Sequence, residues 1–138
     1  NVAPAAALLP ELLAVTDILV LNETEAALMA HATGEPGALA LRLAAQLARD
    51  IILTAGAAGA FWAQPDGKLR QAVPPSITLC DSTGAGDAFL GAFAAFAAEA
   101  RPAEEVLHLA VRAGALACTV EGAVPSLPQR KAILAEGD

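Results

Sequence analysis

The residues with the most chemical content lie in one run, Asp81-Ser82-Thr83-Gly84-Ala85-Gly86-Asp87-Ala88-Phe89-Leu90-Gly91. A β-type run, Ser76 to Cys80, leads in, and an apolar helical run, Ala88 to Glu99, leads out, so the backbone must turn sharply between them. Gly84 and Gly86 tolerate dihedrals that a Cβ would resist, and they let another group approach the main chain closely. The N–H groups of Ala85, Gly86 and Asp87 then fall in the first turn of a helix. There they lack intrahelical partners and sit at the positive end of the macrodipole, which suits an anion. Asp87 has two readings at that spot. It can complement the dipole, with Ser82 or Thr83 as N-cap. Alternatively it is a general base beside an oxyanion hole, taking a proton while the amides stabilise developing phosphate charge.

Two further groups come after apolar runs. Asn22 and Glu25 stand just past Asp17–Leu21, a continuous apolar stretch that reads as a strand buried on both faces. Ligands collect at such strand ends in open α/β sheets, yet Asn22 can also cap the next helix and Glu25 complete a capping box. Thr54-Ala55-Gly56-Ala57-Ala58-Gly59 comes after a second such strand, Asp50–Thr54, and reads on its own as a hairpin loop. The chain has no G-x-x-x-x-G-K-[ST] phosphate loop.

The elements that must position these groups alternate. Helices are predicted over Ala5–Val15, with Pro10 at a break or a fresh first turn, and over Glu23–His31. Gly34, Pro36 and Gly37 break the chain before an amphipathic helix, Ala38–Arg49. A hairpin runs from Ala60–Ala63 through Pro65-Asp66-Gly67 to Leu69–Val73. After the helix that leaves the central run, further helices are expected over Ala103–Val120 and Gln129–Glu136, separated by the loop Gly122–Pro128. Strands alternating with helices imply an α/β fold: a layered parallel sheet with flanking helices and an antiparallel hairpin. The chain shows no repeat, linker or second domain, and is read as a single portion, residues 1–138.

Composition bounds the partners. The 138 residues are 56% apolar, enough for one domain with a core, and the formal net charge of -7 disfavours nucleic acid or an anionic membrane. Main-chain amides can still bind phosphate locally. Apolar runs are too short to span a bilayer, and no basic segment precedes an apolar one as a secretory signal would require. Cys80 and Cys118 form no C-x-x-C pair or disulfide framework, which suits a reducing cytosol and a cytoplasmic protein. Cys80 reads as a small buried apolar residue, and neither His31 nor His108 is assigned to a metal.

The run D-S-T-G-A-G-D-A-F closely resembles the C-terminal signature of the ribokinase-like carbohydrate kinase family. Leu21-Asn22-Glu23-Thr24-Glu25-Ala26 resembles its N-x-x-E element, Thr54–Gly59 its T-x-G-x-x-G segment, and Cys118–Ser126 its V-T-R-K-G-A-x-P-S ending. Asn1-Val2-Ala3-Pro4-Ala5 resembles an N-P-A-P-A opening. The resemblance implies that Asp87 is the base, with Gly84, Ala85 and Gly86 as the other catalytic residues and the amides of Ala85, Gly86 and Asp87 as the anion hole. It implies that Asn22 approaches nucleotide phosphates, that Glu25 orders water around Mg²⁺, and that Thr54, Gly56 and Gly59 lie along the nucleotide. Asp81, Thr83, Ala117, Val120, Gly122 and Ser126 match positions that surround a monovalent cation, K⁺, mostly through carbonyl oxygens.

The resulting expectation is ATP-dependent phosphorylation of a sugar hydroxyl, nearest to the ribokinases, with Mg²⁺ and K⁺. Its partners would be a small sugar and a nucleotide, and a longer product could form a homodimer. Leu90 replaces a frequent Asn, and Val111 stands where relatives often carry Asn or His. Alternatives are a kinase for fructose, a ketodeoxy sugar acid or a nucleoside, or a non-catalytic nucleotide-binding fragment. Family members are about twice as long, and this chain corresponds to their C-terminal half. A base without a positioned acceptor should catalyse poorly, so the chain alone is expected to be a weak kinase.

Overall fold

A computed structural model describes residues 10–135. The chain forms two compact units, Asn1–Gln71 and Ala72–Asp138. The predicted opening turn, residues 1–5, and the start of the first predicted helix lie outside the described residues.

The first unit begins with α1 (Pro10–Ala14), whose proline occupies the first helical position, where its missing N–H costs nothing. Strand β1 (Ile18–Asn22) runs parallel to β2 (Asp50–Thr54), with Ile18 opposite Asp50 and Asn22 opposite Thr54. Strand β3 (Ala60–Ala63) returns antiparallel to β2, and β4 (Leu69–Ala72) completes the order β1-β2-β3-β4. The sheet is therefore mixed, with one parallel pair and the expected hairpin. The hairpin turn is closed by Gln64 N–H donating to the Lys68 carbonyl at 2.8 Å, with Gly67 at φ 88°.

Helices α2 (Glu23–Ala30) and α3 (Pro36–Leu47) cover one sheet face. Leu19, Leu21, Ile51, Leu53 and Phe61 pack there against Ala26, Ala30, Leu39, Leu43 and Ala44. The alanines let the helices sit close to the large strand residues, and full burial of each leucine or isoleucine contributes about 1.5–3 kcal/mol. Helix α3 starts and ends two residues earlier than predicted. Pro36 supplies a first helical residue, and Ala48 turns left-handed at φ 52°. Gly37 is thus helical and not part of the break, and a Cβ there would stand 3.2 Å from the side chains of Phe61 and Leu69.

The second unit is helical. Helices α4 (Ala85–Ala98) and α5 (Ala103–Ala117) form its main packing pair, and α6 (Arg130–Leu134) adds to α5. Phe89, Phe93 and Phe96 of α4 and Val106, Leu107 and Ala110 of α5 are buried, with the Phe89 and Phe93 rings stacked at 6.3 Å. Gly114 lets the helices meet, since a Cβ there would lie 3.2 Å from the Ala85 carbonyl oxygen. Helix α5 stops at Ala117, three residues short of the predicted end, and residues 118–126 turn.

The expected strand Ser76–Cys80 is absent: residues 73–79 carry no regular structure. A strand exists only where its amides find a ladder partner. Among the described residues this stretch finds one contact at its end, where the Cys80 amide donates to the Cys118 carbonyl at 2.8 Å. Leu79 is accordingly 68% exposed.

Candidate functional site

The turn into α4 is built by Asp81. Its Oδ1 accepts from the Thr83 amide at 2.9 Å and the Thr83 hydroxyl at 2.7 Å, and its Oδ2 accepts from the Gly122 amide at 2.9 Å. These bonds stabilise the ionised form and hold the carboxyl below its usual range, the Thr83 amide contributing most and the Gly122 amide next. They also fasten the turn to the loop after α5. Thr83 is fully committed to Asp81, and Ser82 gives its carbonyl to the Ala85 amide at 3.2 Å. Neither residue caps the helix, contrary to the N-cap expected at Ser82 or Thr83, although Asp87 does stand in the first turn of α4. Gly84 is the N-cap, left-handed at φ 82° and without a side-chain cap bond.

Gly84 is required twice over. Its backbone conformation disfavours any L side chain, and an added Cβ would lie 3.1 Å from both Cα and the carbonyl oxygen of Ala123. Gly86 has a different role from the one expected: it is the second helical residue, without a left-handed φ, and a Cβ there meets nothing within 4 Å. The space over the helix end is open. Asp87, third in the helix, is exposed. The Gly86 and Asp87 amides have no partner among the described residues, whereas the Ala85 amide closes the turn. Asp87 borders an open cleft of about 300 Å³ that runs along Gly91, Ala95 and Phe96 to Arg130 and Ile133. Sequence reasoning missed that Arg130 shares a cleft with Asp87, because no local pattern links the two.

The other residues assigned to a cation in this unit fall at the same turn or just after α5. Ser126 is buried, and its hydroxyl donates to the Ala123 carbonyl at 2.8 Å; the Ala117 carbonyl accepts from the Val120 amide at 3.3 Å. Gly122 is left-handed at φ 85°. Asp81 and Gly122 touch directly, Gly84 packs against Ala123, and Val120 is exposed. Cys80, expected to be buried, is exposed, because the strand that would have covered it does not form. Burial raises the Cys118 thiol above its ordinary range, and the Asp81 carboxylate adds to the effect.

In the first unit, Asn22 and Glu25 form a complete capping box. Asn22 Oδ1 accepts from the Glu25 amide at 2.9 Å, and Glu25 Oε2 accepts from the Asn22 amide at 3.0 Å. Glu25 is 7% exposed, but its Oε1 has no protein partner among the described residues and is not sealed from water. Thr54 lies beside Asn22 at the end of the parallel pair and donates its hydroxyl to the Leu21 carbonyl at 3.3 Å. Gly56 and Gly59 are both left-handed, at φ 49° and 87°, and shape a tight hairpin loop around one 3-10 turn. Among the described residues, no cluster of three His, Cys, Asp or Glu side chains could cage a metal.

A mixed α/β unit with a capped strand end stands in one chain with a helical unit that carries an open glycine turn and an exposed aspartate, which places the chain among the α/β proteins. The family model described as pfkB family carbohydrate kinase matches residues 1–130. A ribokinase of Arabidopsis thaliana is 35% identical over 132 residues, 90% of this chain and 34% of that protein. The structure of Arabidopsis thaliana ribokinase with ribose and ATP superposes with a TM-score of 0.83 at 33% identity, over 90% of this chain and 41% of that one. A ribokinase II structure from E. coli with ATP and Mg²⁺ gives 0.77 at 26% identity, over 89% and 39%. The chain therefore belongs to the pfkB family of carbohydrate kinases, with the ribokinase-like fold, and it spans less than half the length of these relatives.

Proposed function

We propose that this chain supplies the nucleotide site and the catalytic base of an ATP-dependent carbohydrate kinase of the ribokinase type, its two units acting as one catalytic portion. The observation that carries this reading is the open end of α4, where two unpartnered amides flank an exposed aspartate. Asp87 takes the proton of a sugar hydroxyl as that oxygen attacks the γ-phosphorus of ATP. The amides of Gly86 and Asp87, with the helix dipole behind them, stabilise charge on the transferring group, and Gly84 and Ala85 hold the turn in shape.

Asn22, Thr54, Gly56 and Gly59 face the nucleotide in this reading, and Glu25 keeps its accessible Oε1 for water around Mg²⁺. One carboxylate is a sparse protein share, which suits an ion that retains most of its water and binds through substrate phosphates. Bound Mg²⁺ neutralises phosphate charge. The K⁺ reading rests on Asp81, Thr83, Ala117, Val120, Gly122 and Ser126. Its donors are oxygens, the kind a hard cation takes, from the turn before α4, the end of α5 and the loop after it, which the Asp81–Gly122 bond joins. The superposition with a ribose-bound ribokinase supports a pentose acceptor, and the chain's 34% share of its relative supports weak activity for the chain alone.

The test is Asp87→Asn in a polypeptide that contains this chain and phosphorylates ribose. Turnover is expected to fall by roughly 10²- to 10⁴-fold with nucleotide affinity nearly unchanged. Retained turnover in the folded variant leaves Asp87 as a dipole-complementing residue and removes the reading.

A further inference from the structure

Cys80 and Cys118, the chain's two cysteines, are distant in sequence but adjacent in the second unit. The Cys80 amide donates to the Cys118 carbonyl at 2.8 Å, and the Asp81 amide reaches the same oxygen at 3.3 Å. A direct amide-to-carbonyl bond puts the two residues' backbones in contact, the first condition for a bridge between their side chains. Disulfides span Cα separations of roughly 4.4–6.8 Å. Both thiols are free, Cys80 exposed and Cys118 half-buried. The two segments they join are the entry to the Asp81–Asp87 turn and the exit of α5, which Asp81 and Gly122 already tie together at 2.9 Å.

We propose that Cys80 and Cys118 are a redox-responsive thiol pair that closes to an internal disulfide on reaction with a low-molecular-weight disulfide such as oxidised glutathione. Cys80 is the attacking residue because it is exposed. Its thiol proton passes to solvent, and its sulfur attacks one glutathione sulfur. The glutathione S–S bond breaks, one glutathione leaves as thiolate, and the other remains on Cys80. Cys118, losing its own proton, then attacks the Cys80 sulfur and expels the second glutathione. Two protein thiols are oxidised by two electrons in all, and one glutathione disulfide is reduced to two thiols. Closure reinforces a contact the fold already makes, so it fixes the base of the phosphate-facing turn without remodelling it.

The experiment incubates the purified chain with glutathione disulfide, quenches with acid, and reads mass and free thiols after unfolding. The expected product is a monomer lacking both thiols, two hydrogens lighter, carrying no glutathione and restored by reductant. Its thermal midpoint should exceed that of the reduced protein, because the crosslink restricts the unfolded chain. Cys118→Ser should stop at one retained glutathione on Cys80, and Cys118→Ala gives the same readout should the serine perturb folding. Cys80→Ser should take up none over the same time. A wild-type product that keeps glutathione on Cys80, or that links two chains, overturns the proposal. So does wild type that retains both thiols under conditions that modify Cys80 in Cys118→Ser.

Discussion

Two glycine-bearing turns succeed apolar runs in this chain, and they use their amides differently. In the Thr54–Gly59 loop the amides of Ala55, Ala58 and Gly59 donate to the carbonyls of Gly59, Ala55 and Gly56 at 2.8–3.0 Å. That loop closes on itself and returns as an antiparallel strand. In the Asp81–Asp87 turn the chain continues as α4, so the first-turn amides point along the axis with no carbonyl behind them. Glycines occupy left-handed positions in both, at Gly56 and Gly59 and at Gly84. Among the described residues the amides of Gly56 and Ala57 have no backbone partner either, so the difference lies in the next element: a 14-residue helix stands behind the free donors of the second turn, and a returning strand behind those of the first. In the proposed reading a glycine motif serves the transferring phosphate only with a helix dipole behind it, which would give the second turn the anion site and leave the first to lie along the nucleotide.

Substitution at the N-cap should have the largest effect on this contrast. Gly84→Val forces a β-branched residue into a left-handed conformation and against the Ala123 backbone, 3.1 Å from the ideal Cβ. Left-handed strain costs about 1–2 kcal/mol. Overpacking adds about 1–3 kcal/mol. Chemical denaturation should show the sum as a lower midpoint with little change in m-value. An unchanged midpoint means the turn can move off Ala123, and the fixed geometry assigned to it is wrong.

Gly86→Ala sharpens the comparison because it separates stability from function. A Cβ there meets no atom, and alanine is the better helix former by up to about 1 kcal/mol. The variant should be as stable as the parent or more so. In a kinase that contains this chain, turnover should nevertheless fall about tenfold or more, equivalent to about 1.4 kcal/mol, if phosphate approaches Gly86 as proposed and meets the added methyl group. Gly56→Ala, at φ 49° with open space around it, should do the reverse: a modest loss of stability and a smaller loss of turnover. Equal effects at the two positions break the distinction between the turns.

Much of this was legible in the sequence, for reasons that are local. The capping box needs only Asn22 and Glu25 three residues apart, and the hairpin needs only Pro65-Asp66-Gly67 between apolar runs. The features that sequence could not reveal depend on partners in space. Ser76–Cys80 has strand-like residues, but no ladder forms for it among the described residues. Gly84 is the N-cap because the left-handed residue that opens α4 falls there, in a turn that Asp81 fastens to Gly122 far along the chain. The proximity of Cys80 to Cys118, and of Arg130 to Asp87, is likewise tertiary. Family resemblance supplied the roles, and the fold supplied the contacts that sustain some of them.

Asp81→Asn tests the fastening of the turn more gently. The folded carboxyl titrates below the ordinary value of 3.8, so its ionised form stabilises the fold above that pH. That contribution is lost as pH falls through the lower folded value. The parent should therefore lose stability on acidification below about 3.8 more steeply than Asp81→Asn, which is weaker at neutral pH but flatter in acid. Thermal melts across pH 2–7 (roughly the carboxylate range) check this. Parallel pH profiles would mean that the Thr83 and Gly122 bonds contribute nothing specific to the ionised form.

The smallest effect is expected at Glu99, in the same unit but away from the turn's amides. Its carboxylate is held by Arg101 at 2.8 Å and by Arg130 Nη2 at 3.0 Å, and both guanidinium groups lie over the Phe96 ring, at 5.3 and 5.0 Å. The bond from Arg130, and then that from Arg101, lowers the Glu99 pKa from 4.5 to about 2. The folded value lies below the unfolded one, so the stabilisation is complete above pH 4.5 and disappears as pH falls toward about 2. All three side chains are partly exposed, so water and salt screen the attraction strongly. Glu99→Gln should lower the melting midpoint slightly at neutral pH and low salt, less at high salt, and least as pH falls through about 2. It should leave anion binding at Gly86 and Asp87 intact, because it changes how α6 is pinned and not which amides are free. If nucleotide affinity falls with the clamp, then α6 and Arg130 shape the Asp87 cleft directly. The contrast between the two turns would then extend beyond their own amides.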